Sequence, residues 1–391
     1  MPVELKPAFC GVEMKVAVTT LAFCVAALLA LGMVMLYSSM MTAPAGAHDL
    51  MLQLIWCGLG FALCVTATAL DYQLLKKLAW PIFALALLLL AAVFAPFIGH
   101  ASHGAHRWIG RGHFTVQPSE FAKVALVIML AWYGDRHQRQ MQTLKRGIFF
   151  PVAIIGVVLV SIFVEPDRGQ TILLAVVSGA MLLIAGVQWK KIIPPVLLAA
   201  AALAFSLFHD SMRKGRILAW LHPDAHAGGA ALQAHQAMIG LGSGGLTGLG
   251  LGNGLQKNGY LPEIQTDFIF ANIGEELGLI ATLLVVLAFV IIAICGIYIA
   301  LRSRDTFGFL LAAGITFLIS LQAAINIGVV TSALPNKGLP LPFISYGGSN
   351  LIAMLSCVGI LFSIARHAPA REKISRPAAG INDNPFAARA T

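Results

Sequence analysis

Long apolar runs recur through the whole chain, and this recurrence limits the possible folds more than any other feature of the sequence. About ten runs approach or exceed roughly 18 residues, the length at which an α-helix can cross a bilayer. Of the 391 residues, 58% are hydrophobic and only 11% are charged, whereas roughly a quarter of the residues in soluble domains are charged. The chain is therefore predicted to be an all-α, polytopic integral membrane protein.

The predicted transmembrane helices have approximate centres at Ala27, Phe61, Leu88, Val127, Val157, Met181, Ala201, Leu284, Phe317 and Leu355. The first run, from about Ala17 to Tyr37, has spanning length and lacks a small-residue cleavage site, so we expect it to remain as the first span. Residues 1–368 are predicted to form one membrane domain with a large outer loop at about 209–267. The polar residues 369–391 predict a disordered cytoplasmic tail.

The positions of the basic residues predict the orientation. If the amino terminus is cytoplasmic, 17 of the 26 Lys and Arg residues fall in inside loops or in the two terminal segments. The positive-inside rule then predicts that both termini are cytoplasmic and that the number of spans is even. Nearly all unusual polar residues lie in outer loops in this orientation, so the extracytoplasmic face is the predicted working face.

Net charge and cysteine content argue against three other interpretations. A formal charge of +9 would suggest nucleic-acid binding in a soluble protein, but here the basic residues are topology signals, and no nucleic-acid partner is predicted. The six cysteines fall mostly in apolar runs without C-x-x-C spacing. This argues against both a metal site and a disulfide framework.

Acidic residues gather beside one membrane helix, in the segment 251–279. Lys257, Glu263 and Asp267 precede the helix, and Glu275 follows near its start. A carboxylate beside hydrocarbon loses hydration, so such acids are retained mainly when they react or are paired. Asp267 is therefore the predicted catalytic residue. The alternative, that Asp267 only caps the helix, does not explain the neighbouring charges.

A second polar segment, 103–123, leads into another helix. Glu120 and Lys123 are three residues apart and share a helix face, where pairing lowers the cost of burial. Together with Arg107 in the preceding Gly-rich loop, they are candidate substrate-binding residues. A purely structural ion pair with an interfacial arginine is an equally good interpretation. No acid lies at ligand spacing near the three histidines, so no metal site is predicted at His103, His106 and His113.

Basic residues on the outer side suggest an anionic ligand. Arg213 and Arg216 lie in the long outer loop, against the topology rule, and guanidinium groups bind phosphate bidentately. Lys337 lies in a later outer segment whose three prolines, at 335, 340 and 342, are typical of a cavity wall. With Lys257, Glu263 and Ser345, these residues complete the predicted substrate-binding set.

Two other outer segments favour structural interpretations. The glycine-rich run 240–254 has G-x-G spacing but neither the preceding strand nor the cytoplasmic position of a nucleotide site, which indicates flexible or closely packed backbone. In the turn 165–171, Asp167 is expected to pair with Arg168 or to cap the next helix.

Four motifs together resemble those of a known family. They are QPSEFAK at 117–123, QTDFIFANIGEELG at 265–278, INIG at 325–328 and ALPNKGLPLPFISYGGSN at 333–350. These motifs resemble the shape, elongation, division and sporulation (SEDS) family, and the resemblance covers nearly the whole chain. The Leu-Pro-x-Lys-Gly at 334–338 and the Gln-Lys at 256–257 look more like the division branch, FtsW, than the elongation branch, RodA.

The resemblance implies a peptidoglycan glycosyltransferase of the bacterial cytoplasmic (inner) membrane that polymerises lipid II into β-1,4-linked strands. It implies release of undecaprenyl pyrophosphate, and as partners a class B penicillin-binding transpeptidase and other divisome or elongasome membrane proteins. The family's essential aspartate matches Asp267, and its other motif residues match Arg107, Trp108, Glu120, Lys123 and Lys337. A divalent cation, Mg²⁺ or Mn²⁺, could assist at the leaving group, although no D-x-D-like pair indicates one.

The sequence also departs from the family pattern, which leaves two alternatives open. Gln265 stands where a histidine is common, and Leu232 and Ala237 alter a motif of the long loop. The alternatives are a flippase for lipid-linked precursors and a non-catalytic scaffold for the transpeptidase. A flippase would favour polar residues across the midplane, and a scaffold would leave Asp267 and Lys337 without a chemical role.

Overall fold

The computed structural model describes residues 9–40, 46–95, 99–102, 105–111, 114–209, 215, 218, 220–221 and 232–368. The helices in these ranges are α1 (Phe9–Met40), α2 (Gly46–Ala69), α3 (Gln73–Lys77), α4 (Ala79–Ala92), α5 (Pro118–Arg136), α6 (Phe150–Val164), α7 (Arg168–Ile184), α8 (Trp189–His209), α9 (Leu232–Ser243), α10 (Ile269–Leu301), α11 (Thr306–Val330) and α12 (Gly348–Arg366). A π-helical turn at Lys145–Phe149 leads into α6, and 3₁₀ turns lie at Gln138–Gln140 and Gln256–Asn258.

Seven helices in the described part of the chain are long and apolar enough to cross a membrane: α1, α2, α6 with its preceding turn, α8, α10, α11 and α12. Helices α4 and α7 are shorter and apolar, and α5 is a buried helix of 19 residues that carries charged side chains. All ten predicted centres lie inside these ten helices. The predicted all-α polytopic class is confirmed, whereas the number of ten spans stays a prediction.

A small antiparallel sheet precedes α5, and the sequence analysis does not predict it. The strands are β1 (Gly99–Ser102), β2 (Ala105–Arg111) and β3 (Phe114–Val116), with β2 in the centre. Ile109 of β2 pairs with Gly99 on one side and Val116 on the other. Strands this short show too few alternations to be recognised among glycines. The sheet matters because it holds Arg107 near the start of α5.

The most buried helices are α5, α11 and α12. Helix α5 packs against α4, α7 and α11, and α12 packs along α2. Small residues permit the close approach of α2 and α12: a Cβ atom on Gly359 would lie 2.9 Å from both the Cα of Cys64 and the Cβ of Ala67. Close packing of this kind drives helix association in lipid, where helices gain little from the hydrophobic effect.

Helix α10 is broken at Gly278, which has φ 77° and ψ −173°. A residue with a side chain rarely adopts this conformation, and glycine adopts it readily. The break divides α10 into a short first half, 269–277, and a long second half, 279–301. A break at membrane depth exposes backbone carbonyls and amides that need partners.

The glycine-rich segment 244–252 supplies the partners that the break requires. The amides of Leu249 and Gly250 donate to the carbonyls of Glu275 and Glu276, each at 3.0 Å. Across the break, the amide of Leu279 donates to the carbonyl of Gly245 at 2.9 Å. The segment therefore acts as a plug, which confirms the interpretation of this run as closely packed backbone.

The plug requires glycine because two backbones meet there. A Cβ atom on Gly248 would overlap the carbonyl oxygen of Glu276 and lie 2.5 Å from its carbon, and one on Gly244 would lie 2.9 Å from the carbonyl oxygen of Glu275. Gly248 also has φ 82°. Backbone atoms cannot move aside as a side chain can, so these positions tolerate no larger residue.

Part of the predicted domain organisation lies outside the described residues. The predicted tail at 369–391 is one such part, and most of 210–231 in the outer loop is the other. The division into a membrane domain and a tail therefore stays a prediction.

Candidate active site

Asp267 lies directly before the first half of α10. Its backbone amide donates to the carbonyl of Glu263 at 3.1 Å, and its carbonyl accepts from Asn326 Nδ2 at 2.8 Å. The N-cap residue is Phe268, and no side chain caps the helix. The side chain of Asp267 therefore does not cap this helix.

The carboxylate of Asp267 lies against the backbone at Gly338. A Cβ atom on Gly338 would overlap Asp267 Oδ2 and lie 3.0 Å from Cγ. Gly338 in turn approaches α7, because a Cβ atom on Gly169 would lie 3.3 Å from the Gly338 carbonyl oxygen. The proline-rich segment is thus a wall between Asp267 and the start of α7.

The surroundings of Asp267 favour its neutral form more than water does. Burial raises the pKa of Asp267 to about 7, and the negative charges of Glu263 and Asp167 act in the same direction, while Arg107 opposes them. A carboxyl group with this pKa can both accept and release a proton near neutral pH. This property suits a general base.

Arg107 of β2 holds the turn between α6 and α7. Its Nε donates to the carbonyl of Glu165 at 3.0 Å and its Nη2 to the carbonyl of Pro166 at 2.9 Å. Its Nη1 lies 3.8 Å from Asp167 Oδ2. The Asp167 carboxylate accepts from the backbone amide of Gln170 at 3.0 Å, which confirms the predicted cap. Asp167 thus has Arg107 as an ion-pair partner, whereas the sequence suggests Arg168.

Glu165 is a buried acid that the sequence analysis does not single out. Its side chain is inaccessible to solvent, and neither carboxyl oxygen has a hydrogen-bond partner among the described residues. Burial, with the nearby charge of Asp167, raises the pKa of Glu165 to about 8, against the opposing charge of Arg107. The signal that could have identified it is its position next to a span in an acid-rich turn.

The Glu120–Lys123 pair lies inside the protein, away from any open surface. The two side chains are at most 1% exposed, and Lys123 Nζ lies 2.7 Å from Glu120 Oε2. Gln170 Nε2 and Asn350 Nδ2 donate to the Glu120 carboxylate at 2.6 Å and 2.7 Å. The predicted ion pair is confirmed. Because protein groups surround both residues, this arrangement does not support their predicted contact with substrate.

Two polar residues of α11 hold the proline-rich segment, and one of them also contacts the buried pair. Gln322 accepts from Lys123 Nζ at 2.9 Å and donates to the carbonyl of Pro340 at 2.9 Å. Asn326, one turn later, donates to the carbonyl of Leu339 at 2.6 Å. The sequence analysis names neither residue in a functional role, although amides within an apolar helix are a usable signal.

Lys257 is part of a closed network around the plug. Its Nζ lies 2.9 Å from Glu276 Oε1, with the Lys257 side chain 3% exposed, and also donates to the carbonyl of Gly252 at 2.6 Å and to Ser38 Oγ at 3.2 Å. All three ammonium protons therefore have acceptors. Glu275 accepts from the amide of Leu255 at 2.8 Å. The arrangement does not favour the predicted contact of Lys257 with pyrophosphate.

The remaining candidates differ in their surroundings. Glu263 is exposed, has φ 58°, and contributes charge near Asp267. Lys337 is half-buried, and burial, followed by the charge of Arg168, lowers its pKa. The Ser345 hydroxyl accepts from the Leu341 amide at 2.8 Å. The structure therefore shows Ser345 shaping the proline-rich wall.

Some predicted residues lie outside the described part of the chain. These are Arg213 and Arg216, together with His103 and His113. Among the residues that are described, no group of three or more His, Cys, Asp or Glu side chains could hold a metal ion. The acids at this site therefore do not form a recognisable set of metal ligands; they are Glu165, Asp167, Glu263 and Asp267.

The site as a whole draws on four distant segments: Arg107 from the sheet, the turn 165–167, Asp267, and the wall at 337–341.

Comparison with known families assigns the chain to one of them. A family model described as "Cell cycle protein" (FTSW_RODA_SPOVE) matches residues 19–370. The chain belongs to the FtsW/RodA/SpoVE family. The membership predicted from the four motifs is confirmed, and the protein is a multi-pass membrane protein.

Curated relatives within the FtsW/RodA/SpoVE family carry the FtsW name. A relative from Geobacter metallireducens named "Probable peptidoglycan glycosyltransferase FtsW" is 40% identical over 344 residues, which are 87% of this chain and 92% of the relative. A relative of the same name from Pseudomonas fluorescens is 37% identical over 88% of this chain and 86% of its own length. These names agree with the predicted division branch.

Solved structures of family members have the same fold. A chain from a peptidoglycan synthase complex that coordinates polymerization and crosslinking superposes with a TM-score of 0.74 at 25% identity, over 88% of this chain and 96% of its own. The rod shape determining protein RodA of Thermus thermophilus superposes with a TM-score of 0.66 at 26% identity, over 88% and 95%.

Proposed function

We propose that the chain is a peptidoglycan glycosyltransferase that polymerises lipid II into β-1,4-linked glycan strands at the outer face of the bacterial cytoplasmic membrane. Family membership and the names of the relatives support this activity. The observation that carries the proposal is the half-buried carboxylate of Asp267, which lies against the wall at Gly338 and has a pKa raised to about 7.

Asp267 acts as the general base in this proposal. The 4-hydroxyl of the acceptor sugar attacks the anomeric carbon of the donor, and the hydroxyl proton passes to the Asp267 carboxylate. A glycosidic C–O bond forms while the bond from the anomeric carbon to the pyrophosphate oxygen breaks, with inversion. Undecaprenyl pyrophosphate leaves with the electron pair of that bond. A base with a pKa near the working pH is the most effective kind.

Cationic side chains beside Asp267 are assigned to the pyrophosphate. Arg107 is one-third exposed, and the 3.8 Å separation of its Nη1 from Asp167 leaves room for an additional acceptor. Lys337 adjoins Gly338 in the wall. A positive charge that meets the departing pyrophosphate stabilises the transition state. Arg213 and Arg216 of the long loop remain predicted members of the same set.

A divalent cation, Mg²⁺ or Mn²⁺, would supply further charge for the leaving group. The residues described here do not gather a ligand set for it, so we assign no step to it. Titration of the polymerisation rate with a chelator, followed by return of Mg²⁺ or Mn²⁺, tests the requirement.

The proposal includes partners and an orientation. We propose a class B penicillin-binding transpeptidase as the partner, together with other divisome or elongasome membrane proteins, because one structural relative comes from a peptidoglycan synthase complex. We also propose that both termini are cytoplasmic, in line with the distribution of Lys and Arg. Accessibility labelling of single cysteines in loops on each side tests the orientation.

Polymerisation of labelled lipid II by the purified protein, with and without the transpeptidase, tests the activity. We expect the wild type to form glycan strands in detergent. Translocation cannot be measured there, because no membrane separates two compartments, so the strands would report polymerisation alone. If no glycan strands form with or without the transpeptidase, but lipid II is translocated in proteoliposomes, the protein is instead a flippase. Absence of both activities, with stimulated crosslinking by the bound transpeptidase, would identify a scaffold.

A further inference from the structure

Gln322 occupies an unusual position for a polar residue. It lies in the middle of the apolar helix α11 and is inaccessible to solvent, where an unpaired amide would be costly. Both ends of its side chain have a partner: the oxygen accepts from Lys123 Nζ at 2.9 Å, and Nε2 donates to the carbonyl of Pro340 at 2.9 Å. Gln322 therefore bridges a buried charge and a loop.

The loop that Gln322 holds is the wall beside the catalytic carboxylate. Pro340 is two residues after Gly338, which lies against Asp267. Prolines have no amide proton, so this segment has few donors with which to fix its own backbone. Its carbonyls are fixed from outside instead, at Pro340 by Gln322 and at Leu339 by Asn326.

The other end of the bridge is firmly anchored. Lys123 pairs with Glu120, and Glu120 accepts from Gln170 of α7 and Asn350 of α12. The backbone amide of Gln170 also donates to the Asp167 carboxylate, which caps α7. The buried pair is therefore linked to both sides of the Asp267 environment, the turn at Asp167 and the wall at Gly338.

We propose that Gln322 is a positioning residue of the glycosyltransferase. It fixes the wall at Pro340 to the buried Glu120–Lys123 pair, and the fixed wall holds the Asp267 carboxylate in its reactive geometry. The inference rests on the proposed function and deepens it. It gives Glu120 and Lys123, which the sequence suggests as substrate ligands, a role inside the protein.

Two variants of Gln322 and one control separate this role from general stability. Gln322→Met has a similar volume and removes both hydrogen bonds. Gln322→Glu keeps an acceptor for Lys123 and removes the donor to Pro340, so it stays paired within the helix bundle. Thr316→Val is the matched control, because Thr316 is 3% exposed in the same helix and its hydroxyl bonds only to the Ala312 carbonyl of that helix.

We expect kcat for lipid II polymerisation to fall by about 10²-fold in both Gln322 variants, the scale of a misplacement of about 1 Å. KM should change little, since Gln322 is buried. The acidic limb of kcat/KM should also move to lower pH, because a loosened wall admits water, which favours the charged carboxylate. The pH shift is tested in Gln322→Met, which leaves the charged groups near Asp267 unchanged: Glu263, Asp167, Arg107 and Lys337. Gln322→Glu adds a carboxyl group, so it is assessed by kcat and loop exchange.

A second readout does not depend on activity. Amide hydrogen exchange of the peptide 336–346 should be faster in both Gln322 variants than in the wild type, and unchanged in Thr316→Val. If Gln322→Met fails to fold, Gln322→Glu decides the question alone. Wild-type kcat and wild-type loop exchange in Gln322→Glu would overturn the inference, while an active wild type would uphold the function. An inactive wild type would refute the function. The exchange of peptide 336–346 would still show whether Gln322 holds the wall in place.

Discussion

Gly338→Ala should damage catalysis while leaving folding almost unaffected. The new Cβ atom would overlap Asp267 Oδ2 and lie 3.0 Å from Cγ, whereas non-bonded atoms prefer separations of about 3.5–4.0 Å, so the carboxylate must move by about 1 Å or more. The carboxylate is the end of a side chain that can rotate away. We therefore expect a change in unfolding free energy within about 0.5 kcal/mol.

The same displacement is costly for a general base. A misplacement of about 1 Å can reduce the rate by about 10²-fold, which corresponds to about 2.7 kcal/mol of transition-state stabilisation. Initial rates of lipid II polymerisation and thermal unfolding in one detergent measure the two effects. Gly242→Ala is the control, since a Cβ atom there meets nothing within 4 Å and the residue is likewise exposed.

A folded Gly338→Ala variant that polymerises lipid II as fast as Gly242→Ala would contradict this prediction. In that case the wall would not be what holds the Asp267 carboxylate in place. A loss of rate that accompanies an equal loss of folded protein would also count against it, because the change would then act on the whole fold.

Three further predictions concern pH, the plug and Lys257. With the Asp267 pKa raised to about 7, the base is protonated below that pH, so kcat/KM should fall about tenfold per pH unit below it; a limb near pH 4 in the pH–rate profile would contradict this. Gly248→Ala should lower stability by about 1–3 kcal/mol or more, as overpacking does, measured by thermal unfolding; an unchanged melting temperature would refute the plug. Lys257→Met breaks a buried pair with Glu276 and should destabilise by about 3–5 kcal/mol while the folded fraction keeps its KM; a raised KM with normal stability would restore Lys257 as a substrate ligand.

Local patterns carry some of this structure in the sequence. Apolar length predicts the ten helix positions, since each helix satisfies its own backbone hydrogen bonds. The spacing of Glu120 and Lys123 predicts their ion pair because residues three apart share a helix face. The position of an acid beside a span singles out Asp267 as a candidate, and its role as the base stays a prediction. In each case the information lies within a few residues.

Contacts between distant segments are what the sequence does not reveal. The break at Gly278 has a partner more than 25 residues earlier in the plug, and one glycine in a long apolar run does not announce it. The sequence suggests Lys257 as a substrate ligand for the same reason, since the plug brings it to Glu276 only in the folded structure. Gln322 meets Lys123 across 199 positions, and no local pattern encodes that pairing.

The most direct test of the central claim compares Asp267→Asn with Glu263→Gln in lipid II polymerisation, at matched folded concentration. Asp267→Asn removes the base and should reduce the rate by at least about 10²-fold. Glu263→Gln removes only a neighbouring charge that raises the Asp267 pKa, so it should stay active, with its acidic limb at lower pH. Normal glycan strands from folded Asp267→Asn would contradict the assignment of Asp267 as the catalytic base.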